Sequence, residues 1–140
     1  MKVTVIGATG TIGREVVDQL AGAGVDVRAV SRRPEGASFA KNVEAVRGDL
    51  TDPATLDVAG DAAFLVWTAP AAAAPAAIER IARQVRRIVL LTAPHNVAHP
   101  FFQQTNPMAR MLAEVERLIV GSGVPWTFLR PGMFSENARV

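Results

Sequence analysis

Hydrophobic and polar residues follow two alternating periods along this chain, and the alternation predicts strands and helices in turn. Short apolar runs with the length of strands occupy residues 2–6, 25–30, 43–47, 62–67, 88–92 and 126–129. Between them, apolar residues recur at helical spacing over residues 11–22, after the alanine-rich linker at 70–75, and after Asn106-Pro107. Strands that alternate with helices indicate a parallel sheet covered by helices on both faces.

The helices have predictable ends and buried faces. Glycine pairs should end the first helix, at Gly22 and Gly24, and the last, at Gly121 and Gly123. Asp52-Pro53 predicts a short helix with the aspartate as its N-cap. Two buried faces are expected: Ile78, Ile81, Ala82 and Val85 in the second long helix, and Met108, Met111, Leu112, Val115, Leu118 and Ile119 in the third.

The segment Gly7-Ala8-Thr9-Gly10-Thr11-Ile12-Gly13 stands between the first strand and the first helix. Gly7 can adopt backbone angles that a Cβ forbids. Gly10 leaves room for a diphosphate against the backbone, and Gly13 allows the helix to lie close to the strand. The free N–H groups at the helix start then attract phosphate. The predicted binding turn also includes Thr9, Thr11 and Ile12; the alternative is a strand–helix turn that binds no ligand.

This motif, with right-handed crossovers, predicts the fold class. Six strands in the order 3-2-1-4-5-6 give an α/β, doubly wound parallel sheet of the Rossmann type. At 140 residues the chain is long enough for one domain with a buried core, so residues 1–140 are interpreted as one NAD(P)-binding domain.

Composition excludes several classes of function. The sequence contains no run of ~18 apolar residues, so no membrane span is indicated. It also contains no cysteine, which excludes disulfides and thiol catalysis in this chain. A cytoplasmic location is the simplest inference. The net charge is +2, but the arginines are dispersed, and Arg32-Arg33 and Arg86-Arg87 stand outside any aromatic-rich basic stretch. We therefore expect no nucleic-acid partner and no membrane partner.

The end of the second strand, Ser31-Arg32-Arg33, suggests which dinucleotide binds. An acidic residue there would bind the ribose 2′-hydroxyl of NAD, whereas arginine accommodates a 2′-phosphate. The nearest acid is Glu35, beyond a proline. The sequence therefore predicts NADP(H) over NAD(H), with Ser31, Arg32 and Arg14 near the 2′-phosphate. The alternative is that these arginines are merely solvated.

With these motifs placed, the chain resembles the NmrA-like group of atypical short-chain dehydrogenases/reductases. The similarity is carried by the glycine segment, by Gly48-Asp49-Leu50-Thr51-Asp52, and by residues 122–137, SGVPWTFLRPGMFSEN. Members of that group are usually about twice this length. The resemblance therefore implies that most of the C-terminal substrate half is missing here, and that this chain alone binds NADP(H) with little turnover.

The resemblance and the sheet edge together indicate further cofactor residues. Asp49 and Leu50 match the group's positions beside the adenine, although Asp49 could instead cap the following turn. Thr68-Ala69-Pro70 should lie along the cofactor, and Thr92 should approach the nicotinamide ribose, because both follow strands at the carboxyl edge. Met133 and Phe134 match a segment near the nicotinamide; core packing is an equal alternative.

The catalytic pair of the wider superfamily is absent. Many members use Tyr-x-x-x-Lys, four residues before a Glu, to move a proton. With Glu116 as the register mark, those positions are Met108 and Leu112; the chain has no tyrosine, and its only lysines are Lys2 and Lys41. The catalytic residues are therefore unknown. Thr92 could position a carbonyl, but alone it would be a poor catalyst.

The two histidines, His95 and His99, lie in a proline-bounded loop without an evident third ligand, so no metal site is expected. His95 could act as an acid near the nicotinamide, but a loop histidine without function is the favoured interpretation.

Two functions from different classes remain open. The first is an NAD(P)H-dependent oxidoreductase that reduces a quinone-like or other small electron acceptor. The second is a non-catalytic NADP(H) redox sensor that regulates a protein partner; a remnant that binds nothing is a weaker third interpretation. The expected partners are a dinucleotide and an unknown small-molecule acceptor, with homo-oligomerisation possible.

Overall fold

The computed structural model describes residues 1–93 and 107–130, which form nine regular elements within those ranges. The strands are β1 (Lys2–Ile6), β2 (Asp26–Ser31), β3 (Val43–Arg47), β4 (Ala62–Val66), β5 (Ile88–Leu91) and β6 (Trp126–Leu129). The helices are α1 (Thr11–Gly22), α2 (Ala74–Ala82) and α3 (Pro107–Ser122). Single 3₁₀ turns occur at Pro34–Gly36, Pro53–Thr55 and Ala71–Ala73. These bounds agree with the predicted elements to within one or two residues, except at the short helix after Asp52.

The sheet has the predicted topology. Its order is β3-β2-β1-β4-β5-β6, and every paired strand runs parallel to its neighbour. Strand β1 therefore lies between β2 and β4, where its carboxyl end faces the point at which the strand order reverses. In open α/β sheets this reversal is where ligands bind.

Alternating side chains bury both faces of the sheet. On one face, Val3 and Val5 of β1 pack with Val17 of α1. On the other, Leu65 and Leu90 pack with residues of α2 and α3, including Ile78, Ile81, Val115 and Ile119. The predicted arrangement of helices on both faces is confirmed.

One local prediction is wrong, and a second is confirmed only in part. Met108 is 53% exposed, although its periodicity places it on the buried face of α3. Helix α3 has 16 residues, about 24 Å, whereas the four-residue strands β5 and β6 span about 13 Å. The helix is longer than the strands it covers, so periodicity alone does not bury its first turn.

The short helix predicted after Asp52 is a single 3₁₀ turn, Pro53–Thr55, with the proline in its first position as expected, but the Asp52 side chain makes no capping hydrogen bond. The Thr55 hydroxyl instead donates to the Asp52 carbonyl oxygen at 2.7 Å. Leu56 and Val58 are both fully buried. The chain is extended at Leu56, directly after the turn, and side chains two apart in extended chain lie on the same side, which agrees with both residues packing in one core.

The predicted loop containing His95 and His99 and the segment containing Met133 and Phe134 lie outside the described residues. Among the residues that the structure describes, no helix is long and apolar enough to cross a membrane.

The packing of α1 against the turn before it leads to a stability prediction. A Cβ built on Gly13 would lie 2.0 Å from the Gly7 carbonyl oxygen, a backbone atom that has no side-chain rotamer to change. Gly13→Ala should therefore lower the free energy of unfolding by about 3 kcal/mol, measured by urea denaturation.

Gly22→Ala is the matched control, because Gly22 ends the same helix and its Cβ would meet no atom within 4 Å. We expect it to leave stability unchanged or to raise it by up to about 1 kcal/mol. Equal stability of the two variants would contradict the packing described here.

Candidate functional site

A groove of about 370 Å³ opens at the carboxyl ends of β1 to β4. It is bounded by the turn between β1 and α1, by the ends of β2 and β3, and by the segment after β4. The residues of the glycine segment that line it are Gly7, Thr9, Gly10, Thr11, Ile12 and Gly13, and the others are Ile6, Val30, Arg32, Gly48, Asp49, Leu50, Thr51, Val66, Thr68, Ala69 and Pro70.

The glycine turn has the backbone shape that its sequence predicts. Gly7 has φ +88°, a conformation that L side chains rarely adopt. The amides of Gly7 and Ala8 donate to the Val30 carbonyl oxygen at 3.1 and 3.2 Å, which fixes the turn to the end of β2. A Cβ on Gly10 would meet only the Gly7 oxygen, at 3.6 Å. Gly10 is therefore the glycine of this turn where a side chain fits the fold but enters the groove.

The start of α1 presents unpaired donors to this groove. Within the described residues, the amides of Thr11, Ile12 and Gly13 have no backbone acceptor; the first bond of the helix joins Arg14 N to Gly10 O at 2.9 Å. Gly10 provides no side-chain cap, and the first turn has no acidic residue. Such a helix end attracts anions through its amides and its dipole.

A second, polar cavity of about 700 Å³ adjoins the groove. It shares Thr9, Arg32 and Asp49 with the groove and adds Arg33, Glu35 and Arg47. We call this region the basic basin. Arg47 was missed by the sequence analysis. The signal was available, because Arg47 ends β3 at the register position of Ser31, at the same sheet edge.

Two of the predicted 2′-phosphate residues lie elsewhere than in the basin. The Arg14 guanidinium donates to the Ser38 carbonyl oxygen and lies 5.2 Å from the centre of the Phe39 ring. It therefore holds the loop between β2 and β3 and lines neither cavity. Ser31 is buried, and its hydroxyl oxygen has no hydrogen-bond partner within the described chain. It lies directly before Arg32 at the end of β2.

Asp49 has a structural role in addition to its place in the groove. Its Oδ1 accepts hydrogen bonds from the Thr51 amide at 2.9 Å and the Thr51 hydroxyl at 2.7 Å, so it caps the following turn. The Thr51 amide and then its hydroxyl lower the pKa of Asp49, and the charges of Arg32 and Arg47 lower this pKa further. Asp49 is therefore a carboxylate at neutral pH.

The far side of the groove is less polar, and Thr92 stands outside it. Thr68, Ala69 and Pro70 line the groove after β4, as their positions predict. Thr92 is only 5% exposed, and its hydroxyl donates to Glu116 Oε2 at 2.8 Å. A hydroxyl has one hydrogen, so while this bond is made Thr92 cannot also donate to a ligand carbonyl.

The positions expected for a Tyr–Lys pair contain no acid or base. Met108 is exposed, and Leu112 is buried in the core. Lys2 lies at the start of β1, opposite the groove, and its amine pairs with Glu44 at 3.4 Å. In residues 1–93 and 107–130, no group of His, Asp and Glu is arranged to hold a metal ion.

Comparison with known proteins identifies the family of the chain. Residues 7–140 match the protein family described as NAD(P)H-binding. The chain belongs to this family. Its NmrA-like resemblance is consistent with that membership.

Two curated relatives carry the names of reductases. The first is a (4-alkanoyl-5-oxo-2,5-dihydrofuran-3-yl)methyl phosphate reductase of Streptomyces griseus, 38% identical over 148 residues, which cover 96% of this chain and 49% of the relative. The second is an NAD(P)H azoreductase of Xenophilus azovorans, 30% identical over 96% of this chain and 49% of the relative. The chain thus spans about half the length of the curated relatives it matches.

A solved structure supports the fold. The triphenylmethane reductase of Citrobacter sp., in complex with NADP(H), superposes with a TM-score of 0.77 at 21% identity, over 97% of this chain and 51% of that one. At this identity the likeness shows the Rossmann-type architecture alone.

The turn at Asp49 gives a prediction for pH titration. Because Thr51 donates two hydrogen bonds to the carboxylate, Asp49 should titrate below its ordinary pKa of 3.8, measured from side-chain carboxyl chemical shifts in NMR. Thr51→Ala removes the hydroxyl but keeps the amide, so the pKa of Asp49 should rise part of the way towards 3.8. Asp18, exposed and on α1, is the reference carboxyl in the same spectra. An Asp49 pKa that does not change in Thr51→Ala would contradict the turn geometry.

Proposed function

We propose that this chain is the dinucleotide-binding domain of an NADP(H)-dependent oxidoreductase of the NmrA-like group. The observation that carries the proposal is the adjacency of two anion-attracting features at one sheet edge. The start of α1 offers the free amides of Thr11, Ile12 and Gly13, and the basic basin offers Arg32, Arg33 and Arg47. A dinucleotide that carries both a diphosphate and a 2′-phosphate matches this pair of features.

The residues present fit such a ligand. The diphosphate would lie against the glycine turn, where Gly10 leaves the backbone open. The 2′-phosphate would lie in the basic basin with Arg32. The hydroxyl of Ser31 is buried and lines neither cavity, so we assign it no contact with this phosphate. Leu50, buried at the groove wall, would pack on the adenine.

Charge in the basin favours NADP(H) over NAD(H). Its guanidinium groups outnumber its two carboxylates, Glu35 and Asp49. Asp49 Oδ1 is already used by Thr51, which limits its ability to bind a ribose 2′-hydroxyl. Guanidinium groups bind phosphate through paired, charge-assisted hydrogen bonds, so a phosphorylated ribose is the better match.

The proposed reaction needs little from the protein beyond orientation. When bound, a reduced nicotinamide supplies a hydride, and water supplies the accompanying proton to a quinone-like acceptor. The chain has no tyrosine, which excludes the Tyr–Lys proton relay. The names of both relatives favour a reductase over a sensor. The segment Thr68–Pro70 would border the nicotinamide half of the groove.

The cofactor preference is tested at Arg32. Arg32→Ala should weaken NADPH binding by about 10- to 100-fold, the usual size of a lost charge-assisted hydrogen bond, and should leave NADH binding nearly unchanged. Isothermal titration calorimetry with both dinucleotides measures this difference. Arg86→Ala is the control, because Arg86 is an exposed arginine just before β5, at the amino ends of the strands and away from the groove. Equal losses for NADPH and NADH would contradict the assignment of Arg32.

The reaction itself is tested by NADPH oxidation in the full-length protein with a quinone. We expect oxidation that depends on the acceptor and is lost in Gly10→Val, because Gly10 lines the groove and a Cβ added there meets only the Gly7 oxygen, at 3.6 Å. Melting curves of Gly10→Val should match those of the wild type. Tight NADPH binding without any acceptor-dependent oxidation would favour the sensor and contradict the proposal.

A further inference from the structure

A buried carboxylate stands apart from the groove and is not used by the function proposed above. Glu116 of α3 is only 7% exposed. Its Oε2 accepts the Thr92 hydroxyl at 2.8 Å, and its Oε1 accepts the Arg130 guanidinium. We call Thr92, Glu116 and Arg130 the edge network.

The edge network joins three elements at one end of the sheet. Thr92 follows β5, Arg130 follows β6, and Glu116 reaches both from α3, which covers these strands. The Thr92 amide also donates to the Leu129 carbonyl oxygen at 2.9 Å, so the β5–β6 pairing continues up to this point. The Arg130 guanidinium lies 5.6 Å from the centre of the Phe128 ring, which adds a second constraint on its position.

Stability alone is a poor reason for this arrangement. Burying a carboxylate is costly, and apolar residues of similar volume often stabilise such a site as well as an ion pair does. The same core contains Val115 and Ile119 on the same helix, so apolar packing is readily available here. What the charged network adds is a fixed spatial relation between the ends of β5 and β6.

The position of the edge network on the sheet determines which half of a dinucleotide it could affect. The glycine turn and the basic basin lie at the ends of β1 to β3, where a Rossmann sheet holds the adenosine half of its ligand. The second half of a dinucleotide extends across the switch point towards β4 and β5. The edge network therefore lies on the nicotinamide side.

We propose that Glu116 is a positioning residue that holds the ends of β5 and β6 in the arrangement needed by the nicotinamide half of the ligand. This inference rests on the proposed NADP(H) site. In this proposal Glu116 acts through Thr92 and Arg130 and does not itself contact the ligand.

The test substitutes Thr92 and Arg130, the two ends of the edge network, and leaves Glu116 unchanged. Thr92→Val removes the hydroxyl with little change in volume, and Arg130→Gln removes the charge from a side chain that is 44% exposed. The probes are NADPH and adenosine 2′,5′-bisphosphate, which lacks the nicotinamide half. Both affinities are measured by calorimetry, and the fluorescence of bound NADPH reports the surroundings of the nicotinamide.

Matched variants separate positioning from stability and from direct contact. Thr4→Val makes the same substitution at another fully buried threonine, whose hydroxyl donates to the Val58 carbonyl oxygen at 3.2 Å. It should lower the melting temperature without changing either affinity. Thr92→Ser keeps the hydroxyl and should bind NADPH like the wild type.

We expect Thr92→Val and Arg130→Gln each to weaken NADPH binding about tenfold and to change the bound-NADPH fluorescence, with the affinity for the bisphosphate kept within about twofold. A parallel loss of affinity for NADPH and for the bisphosphate would mean that the edge network acts only through folding. An effect of Thr92→Val without an effect of Arg130→Gln would mean direct contact by Thr92. Either result would overturn the inference. A wild-type chain that binds neither probe would overturn the proposed function first.

Discussion

The contact between Gly13 of α1 and the backbone of Gly7 is the constraint on which the rest of the site depends. A Cβ at Gly13 would lie 2.0 Å from the Gly7 oxygen, and Gly7 itself has φ +88°. Together they let the chain leave the central strand β1 and enter α1 at once. The first helical amides therefore point into a groove at the middle of the sheet, beside the arginines that end β2 and β3.

The groove attracts anions with few buried charges. Where the proposed diphosphate would lie, the attraction comes from backbone amides. Amides carry only partial charges, so they need no ion pair when they are buried. Its guanidinium groups remain exposed at the rim, where their desolvation costs little. The only buried carboxylate among the described residues, Glu116, lies on the other side of the switch point, where Thr92 and Arg130 donate hydrogen bonds to it. We propose that the two halves of the sheet edge have different tasks: one would bind phosphate, and the other would fix the strand ends.

Much of this could be predicted from the sequence because it depends on local patterns. Six apolar runs and a glycine turn specify the strand order, and Arg47 could have been found from the same parallel register that places Ser31. Other features depend on contacts between distant segments. Nothing local to Arg14 indicates that Ser38 accepts its hydrogen bond, and nothing local to Thr92 indicates that its hydroxyl donates to Glu116, 24 positions later. Periodicity identifies a helix face but not where the sheet beneath it ends.

The central claim is that a nicotinamide dinucleotide binds across the start of α1 with its phosphates at the glycine turn. Amide chemical shifts of ¹⁵N-labelled protein, recorded during a titration with NADP⁺, test it most directly. We expect the chemical shifts of the Thr11, Ile12 and Gly13 amides to change most, together with that of Arg32, because hydrogen bonding to phosphate changes the shift of the donor itself. Saturating NADP⁺ that leaves these amides unmoved, or that moves amides at the opposite edge of the sheet instead, would contradict the account.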